Sequence, residues 1–216
     1  MPLASGTVLD AVVTRVRTLA EAEVVVATSD GPSDDALAGA CRERGYTVFR
    51  GSEADVLGRY AAAADEYDFD AVLRVCADAP LTDPDGMSGL IQEWCSSGSA
   101  RYVHNRHDRG WPIGAAADLI ERSALLEACR EATDPFEREH VIPFLLAHPE
   151  RFATRAVLGR ADWAERRYYM AIDYPSDLNW FQELYNATGC GLKGPALAEV
   201  FDWVDHSGRM PRLNHV

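Results

Sequence analysis

Short apolar, β-branched runs alternate with stretches of helical periodicity through the first half of the chain, and this alternation constrains the fold more than any other feature. Residues 24–28 (Val-Val-Val-Ala-Thr), 47–49, 71–76 and 101–104 read as strands. Between and around them, residues 7–20 place Val8, Leu9, Val12, Val13, Val16 and Leu19 at helical spacing, with Thr7 and Asp10 offering an N-terminal cap. A second helix puts Leu37 and Cys41 on its inner face. A third opens at Ser52 and runs to Tyr67, and a fourth covers about 85–96. Strands alternating with helices of this length predict an α/β fold built from βαβ units around a parallel sheet. Such sheets bind ligands beyond the C-terminal ends of their strands, so the loops after Thr28, Phe49 and Cys76 are where chemistry is expected.

The second half is less regular. Strands are expected at 115–120, 152–158 and 168–172, and helices at 123–132, 136–147, 175–185 and 195–205. No repeat or low-complexity linker divides the chain, and 216 residues suit one domain, 1–216. The composition is that of an ordinary globular protein, with 47% hydrophobic and 25% charged residues. No apolar run reaches the length of a membrane span, and no secretory signal pattern stands at the start, which predicts a cytoplasmic protein. A net charge of −13 argues against a nucleic-acid-coating surface. Five cysteines, odd in number and without a CxxC pair, read as reduced and mostly buried thiols.

Two aspartates stand at strand ends beside a proline. Asp78 follows the strand ending at Cys76, with Pro80 beyond it; Asp173 follows the strand ending at Ile172, with Pro175 beyond it. A carboxylate held in this way aims a fixed oxygen into the cleft, and two converging would hold Mg²⁺ while leaving positions for water and phosphate. The competing reading is that each caps the following helix. The loop of Ala27, Thr28 and Ser29 presents hydroxyls and amides to a polar ligand such as a nucleobase, and Arg50-Gly51 ends a strand in the same manner. Asn105 and Arg106 add polar groups at another strand end. His104 and His107 have no third metal ligand nearby in the sequence. Gly189 to Gly194 matches GxGxxG but follows a helix, which fails the dinucleotide test. A glycosyltransferase would place a D-x-D at a strand end; Asp68-Phe69-Asp70 and Asp83-Pro84-Asp85 are both misplaced for that.

Several segments fall in order at the spacing of a known family: Ala27-Thr28-Ser29, the run from Val48 to Tyr60, the run from Arg74 to Pro84, Tyr102 to Arg106, Arg138 to Phe144, and Ile172 to Leu178. Together they resemble the cytidylyltransferases of spore-coat polysaccharide biosynthesis, relatives of the enzymes that make CMP-sialic acid and CMP-Kdo. The resemblance covers about residues 2–185, leaving 186–216 as a C-terminal helical extension. It implies a Rossmann-like nucleotidyltransferase fold of three layers. It further implies attack of an acceptor oxygen on the α-phosphate of CTP, with Mg²⁺ and release of pyrophosphate, in polysaccharide or natural-product synthesis. Asp78 and Asp173 then look like the metal-binding aspartates. Ala27, Thr28, Ser29, Arg50 and Arg74 look like the nucleotide site, and Asn105, Arg106, Glu139 and His140 like the site of a small acidic acceptor. A homodimer is left open.

The sequence departs from the family in places. The family's first strand and its glycine-, arginine- and lysine-bearing phosphate loop have no counterpart, since Met1 aligns just beyond them. The one lysine is Lys193. Cys76 and Ala77 replace a threonine and a glycine, Ala115 and Ala116 fall where polar acceptor contacts are expected, and Tyr174 replaces a threonine. Met1 is accordingly read as an internal start within a longer enzyme that is inactive without the missing loop. The alternative is a non-catalytic nucleotide- or protein-binding pseudoenzyme on the same fold.

Overall fold

The computed structural model describes residues 1–213 except Glu21. Its elements run in this order: β1 (Pro2–Leu3), β2 (Gly6–Thr7), α1 (Val8–Val16), β3 (Val25–Ser29), α2 (Asp35–Glu43), β4 (Thr47–Gly51), α3 (Val56–Glu66), β5 (Ala71–Arg74), α4 (Pro84–Ser97), β6 (Tyr102–His104), β7 (Asp118–Glu121), α5 (Arg122–Glu131), α6 (Pro135–His140), α7 (Ile142–Ala147), β8 (Arg155–Ala156), α8 (Ala161–Ala164), β9 (Tyr168–Tyr169), α9 (Pro175–Thr188), α10 (Leu197–Ser207) and β10 (Arg212–Leu213).

The α/β class is as expected; the uniform parallel sheet is not. β3 and β4 form a parallel pair, joined in a βαβ unit by α2. Four further strands build a mixed sheet in the order β5-β7-β6-β8, with β7 antiparallel to both neighbours and β6 parallel to β8, while β1-β2 and β9-β10 are separate two-stranded antiparallel pairs. The cause is the connection. The stretch from β6 to β7 has no α-helix in it, so the strand returns alongside its predecessor, whereas β5 and β6, which run in the same direction, are joined by a crossover through α4. Among the described residues no backbone pairing joins β3 to β5, so β3-β4 and the four-stranded sheet are separate ladders.

Alternation along β6 and β7 places helices on both faces. Tyr102 and Ile120 pack with Leu57 and Ala61 of α3, Leu125 of α5 and Leu145 of α7, while Val103 and Leu119 pack with Met87 and Leu90 of α4. A third cluster wraps β9 with α9 and α10 through Tyr168, Phe181, Leu184 and Phe201.

Local differences from the sequence reading have local causes. The helix expected over 136–147 is broken at Val141 (φ 68°), because Pro143 removes a donor and its ring opposes the carbonyl four residues back. The inner face of α2 carries Ala38 and Cys41, while Leu37 is exposed. Asp55 rather than Ser52 caps α3, accepting from the Gly58 amide at 2.9 Å. Thr7 and Asp10 form the expected reciprocal cap of α1. Of the five cysteines only Cys41 is buried, and Cys76 and Cys95 are exposed. The C-terminal extension contains α10 as expected, and then, unforeseen, β10, which pairs antiparallel with β9. No helix among the described residues is long and apolar enough to cross a membrane.

Candidate active site

Asp78 and Asp173 lie on adjoining loops. The Ile172 amide donates to the Asp78 carbonyl at 2.9 Å, stitching the loop after β5 to the one before α9. The Asp78 loop is held from behind by two buried groups. Tyr185 of α9 donates its hydroxyl to the Pro80 carbonyl at 3.0 Å, and Arg15 of α1 donates Nε to the Thr82 carbonyl at 2.6 Å. Arg15 is 2% exposed and also donates to the carbonyls of Lys193 and Pro195, at 2.7 and 2.9 Å. An arginine here ties three chain segments together by carbonyls alone.

Neither aspartate is a helix cap. α4 is capped by Asp83, which accepts from the Gly86 amide at 2.8 Å. At α9, Asp177 accepts from the amides of Asp173 and Tyr174 at 3.0 and 2.9 Å. With caps supplied by Asp83 and Asp177, the two strand-end carboxylates are spared for other work.

The two carboxylates experience opposite surroundings. Burial pushes Asp78 above the usual carboxylate range, and the charge of Asp173 adds to the effect. Its Oδ1 is buried with no hydrogen-bond partner. Asp173 is held below that range, first by the hydrogen-bonded guanidinium of Arg212 and also by the Tyr169 hydroxyl. Tyr169 in turn is pushed up to about 12 by burial and by Asp173. Two neighbouring acids driven apart in this way mark a functional site more often than a structural one. A divalent cation suits an orphaned, half-buried carboxylate oxygen beside a second carboxylate, since it supplies the missing partner and accepts further oxygens from a ligand. Among the described residues no group of three or more acidic, histidine or cysteine side chains converges as a metal cage. A cation held by Asp78 and Asp173 would therefore draw its remaining ligands from phosphate and water.

The other residues expected in the site divide into groups. Ala27 is half-buried in β3, followed by buried Thr28 and Ser29. Thr28 donates its hydroxyl to Asp34 at 2.6 Å, and the same carboxylate accepts from the Ser29 amide at 2.9 Å. Arg50 does not extend freely into the cleft. It donates Nε to the Ser29 carbonyl at 2.9 Å, Nη2 to the Gly31 carbonyl at 2.8 Å and Nη1 to Asp35 at 2.7 Å, so it shapes the loop after β3. Arg74 pairs with Asp118, its register partner on β7, at 3.3 Å.

Asn105 is wholly buried; its Oδ1 accepts from the Ala117 amide at 2.7 Å, which pins β6 to the segment entering β7, while its Nδ2 has no hydrogen-bond partner among the described residues. Arg106 stands 4.0 Å from Asp118. Glu139 and His140 are exposed on α6, where His140 packs edge-on against Phe136; no hydrogen bond or ion pair among the described residues links either to Asp78 or Asp173. His104 is 3% exposed and stacks on Tyr102, in keeping with a core role. The segment from Gly189 to Gly194 is a connector between α9 and α10.

Three contributors escaped the sequence reading. Asp118 is buried and accepts from the Tyr102 hydroxyl at 2.7 Å as well as from Arg74. Its signal was a charged residue inside an apolar strand. Arg15 carried the same signal on the apolar face of α1. Arg212 comes from 39 residues beyond its partner Asp173, and nothing local to it gave it away.

Comparison with known proteins identifies the family and the fold. A family model described as cytidylyltransferase matches residues 1–189. The spore coat polysaccharide biosynthesis protein SpsF of Bacillus subtilis (strain 168) is 29% identical over 195 residues, covering 87% of this chain and 79% of that protein. The solved structure of a cytidylyltransferase from Leptospira borgpetersenii matches with a TM-score of 0.89 at 22% identity, over 100% of this chain and 90% of the other. A CMP-2-keto-3-deoxy-manno-octonic acid synthetase complexed with CTP matches with a TM-score of 0.64 at 13% identity, over 87% of this chain and 91% of the other. The two structural likenesses establish a shared fold.

Proposed function

We propose, from the premise that this chain belongs to the cytidylyltransferase family, that it transfers CMP from CTP to a small acidic acceptor of the sugar-acid type, with release of pyrophosphate. The observation that carries this reading is the meeting of Asp78 and Asp173 on loops stitched by the Ile172 amide, with Asp78 Oδ1 left unpartnered. Mg²⁺, when bound by these two carboxylates, would neutralise charge developing on the phosphates.

The chain's own residues supply position. The loop after β3, shaped by Asp34 and Arg50, offers the edges of Thr28 and Ser29 to a nucleobase. Asp34 fixes the Thr28 hydroxyl as a donor, leaving its lone pairs for a base amino group. Arg74 and Arg106 beside Asp118 form a mixed-charge wall at the ends of β5 and β6, suited to an acceptor bearing both hydroxyls and a carboxylate. Asn105 acts at one remove, through Ala117. No group in this set is placed as a covalent nucleophile. The reaction is a direct displacement, which needs alignment and charge neutralisation above all.

A second reading, a non-catalytic binding protein on the same fold, is favoured by one observation. Arg50, Arg74 and Arg212 already have carboxylate or carbonyl partners, so phosphate would have to compete with them. Calorimetric titration of Mg·CTP into the wild-type chain and Asp78→Ala tests the site, with binding expected only in the former; equal affinity in the two removes the cation role. Release of pyrophosphate with a panel of sugar acids then separates enzyme from binder.

A further inference from the structure

The segment after α10 returns to the site. α10 ends at Gly208 in left-handed backbone (φ 67°), the conformation in which glycine serves as a hinge-like stop. The next five residues lie across α9 and β9. Trp180 donates its indole N–H to the Arg209 carbonyl at 2.9 Å, Arg209 pairs with Glu183, and the Tyr168 hydroxyl reaches the Met210 sulfur at 3.7 Å. β10 then pairs with β9 over two residues only.

At the tip, the Arg212 guanidinium hydrogen-bonds Asp173, stands 3.6 Å from Asp177, and lies 3.9 Å from the ring centre of Tyr169 and 4.9 Å from that of Tyr174. Its Nε is buried without a partner. A pocket open to solvent, lined by Tyr169, Asp177, Trp180, Met210, Pro211 and Arg212, lies where this strap meets α9 and β9.

We propose that residues 208–213 are a latch, in which Arg212 neutralises Asp173 in the ligand-free protein and must swing out when a divalent cation binds. The inference rests on the reading of Asp78 and Asp173 given above. A guanidinium and a divalent cation cannot share one carboxylate oxygen without strong repulsion. The two therefore compete for the charge of Asp173, and closing the latch lowers the apparent cation affinity, at most by the fraction of molecules that are open. The design suits release. The strand pairing is two residues long, the turn after α10 is a glycine, and the guanidinium is held only by the carboxylates of Asp173 and Asp177 and the aromatic faces of Tyr169 and Tyr174, while the Trp180–Arg209 bond and buried Pro211 anchor the base of the strap. The latch gives the site a resting form in which its exposed carboxylate is neutralised, so that weak adventitious cations are excluded.

The test compares Mn²⁺ binding, read by calorimetry or electron paramagnetic resonance, in wild-type protein, Arg212→Ala, Arg212→Lys and Asp173→Asn. If the latch is closed in 90–99% of molecules, Arg212→Ala binds Mn²⁺ about 10- to 100-fold more tightly, and Arg212→Lys falls between that variant and wild type. Tryptic cleavage after Arg209, a site kept in every variant, supplies a readout independent of affinity. It should accelerate when Mn²⁺ is added to wild-type protein and be fast in Arg212→Ala without it. Equal Mn²⁺ affinity in wild type and Arg212→Ala, with binding lost in Asp173→Asn, overturns the latch and leaves the cation site standing. Undiminished binding in Asp173→Asn overturns the cation site and the latch with it.

Discussion

The Ile172 amide and the Asp78 carbonyl, 2.9 Å apart, hold the two strand-end loops in register, so the Asp78 carboxyl is placed by backbone rather than by side-chain partners. The carboxyl itself is left with an orphan oxygen and a raised proton affinity caused by burial. A site kept at a cost in this way should trade stability for binding. Asp78→Asn is expected to lower cation-dependent pyrophosphate release by about 100-fold or more, the scale of losing several kcal/mol of charge stabilisation. Its melting temperature should equal or exceed that of wild type, because an amide is not desolvated as a charge. Thermal melts beside a pyrophosphate assay check both; a large drop in melting temperature would show that Asp78 is a structural residue.

Arg15 is the converse case, a buried charge whose role is structural. Replacing it with Leu leaves the carbonyls of Thr82, Lys193 and Pro195 without their donor. The expected loss is on the order of 3 kcal/mol in denaturant unfolding, with the midpoint shifted and the slope unchanged. Arg15→Lys should recover only part of it, since one ammonium cannot span three carbonyls spread over two segments. Full recovery by Lys would mean that the charge matters more than the fork.

These two residues show how much of the molecule was legible. The alternation of apolar strands and amphipathic helices carried the α/β class, and the proline-flanked aspartates pointed to a pair that the fold brings onto adjoining loops, because both are patterns within a few residues of one another. Which aspartate caps a helix was not legible. Asp78 and Asp83 both stand in the stretch leading into α4, and the Gly86 amide shows that the cap is Asp83. Arg50 was readable as a strand-end arginine, but its three donors go to the Ser29–Asp35 loop, a choice set by how β3 and β4 pair. Arg212 was invisible for the same reason at longer range: its partner is fixed by β10 folding back on β9. The antiparallel β7 was missed because strand direction depends on the connection and not on the strand's own residues.

The loop after β3 should respond to acid. Asp34 is held below the usual carboxylate range, chiefly by the Thr28 hydroxyl and then by the Ser29 amide. A depressed folded-state value means that its contribution is present above the unfolded value, near 3.8, and is lost as pH falls through the lower folded one. Chemical denaturation followed from neutral to strongly acid pH should therefore show a limb that Asp34→Asn flattens, with weaker nucleotide binding in the variant at neutral pH. An unchanged acid limb in Asp34→Asn would assign that limb to other carboxylates.

Among the described residues, β3 and β5 each pair on one side only, whereas β7 is paired on both. Residues 25–27 of β3 and all four of β5 are only half-buried, unlike the first three of β7. Amide hydrogen exchange should accordingly be faster at the unpaired edges of β3 and β5 than in β7, by about tenfold or more, which corresponds to roughly 1.4 kcal/mol of local opening. Equal protection across the three strands would show that the two ladders open as one unit.

Gly114 connects the core to the site through a close approach of backbone. Its φ is 86°, and a Cβ there would come within 1.9 Å of the Met170 carbonyl oxygen and 2.8 Å of the Ala171 nitrogen. Beside it the Met170 amide donates to the Ile113 carbonyl at 2.7 Å, so residues 113 and 114 form the shelf on which the chain runs toward Asp173. Gly114→Ala adds both left-handed strain and a clash with backbone that has no rotamer to give. The expected cost is about 2–4 kcal/mol in denaturant unfolding. Because the displaced atoms lie three residues before Asp173, Mn²⁺ affinity should fall as well, at temperatures where the variant is still folded. A variant that loses stability but keeps wild-type Mn²⁺ affinity would show that the Ile172–Asp78 stitch alone, without the shelf beneath it, is enough to hold the two carboxylates together.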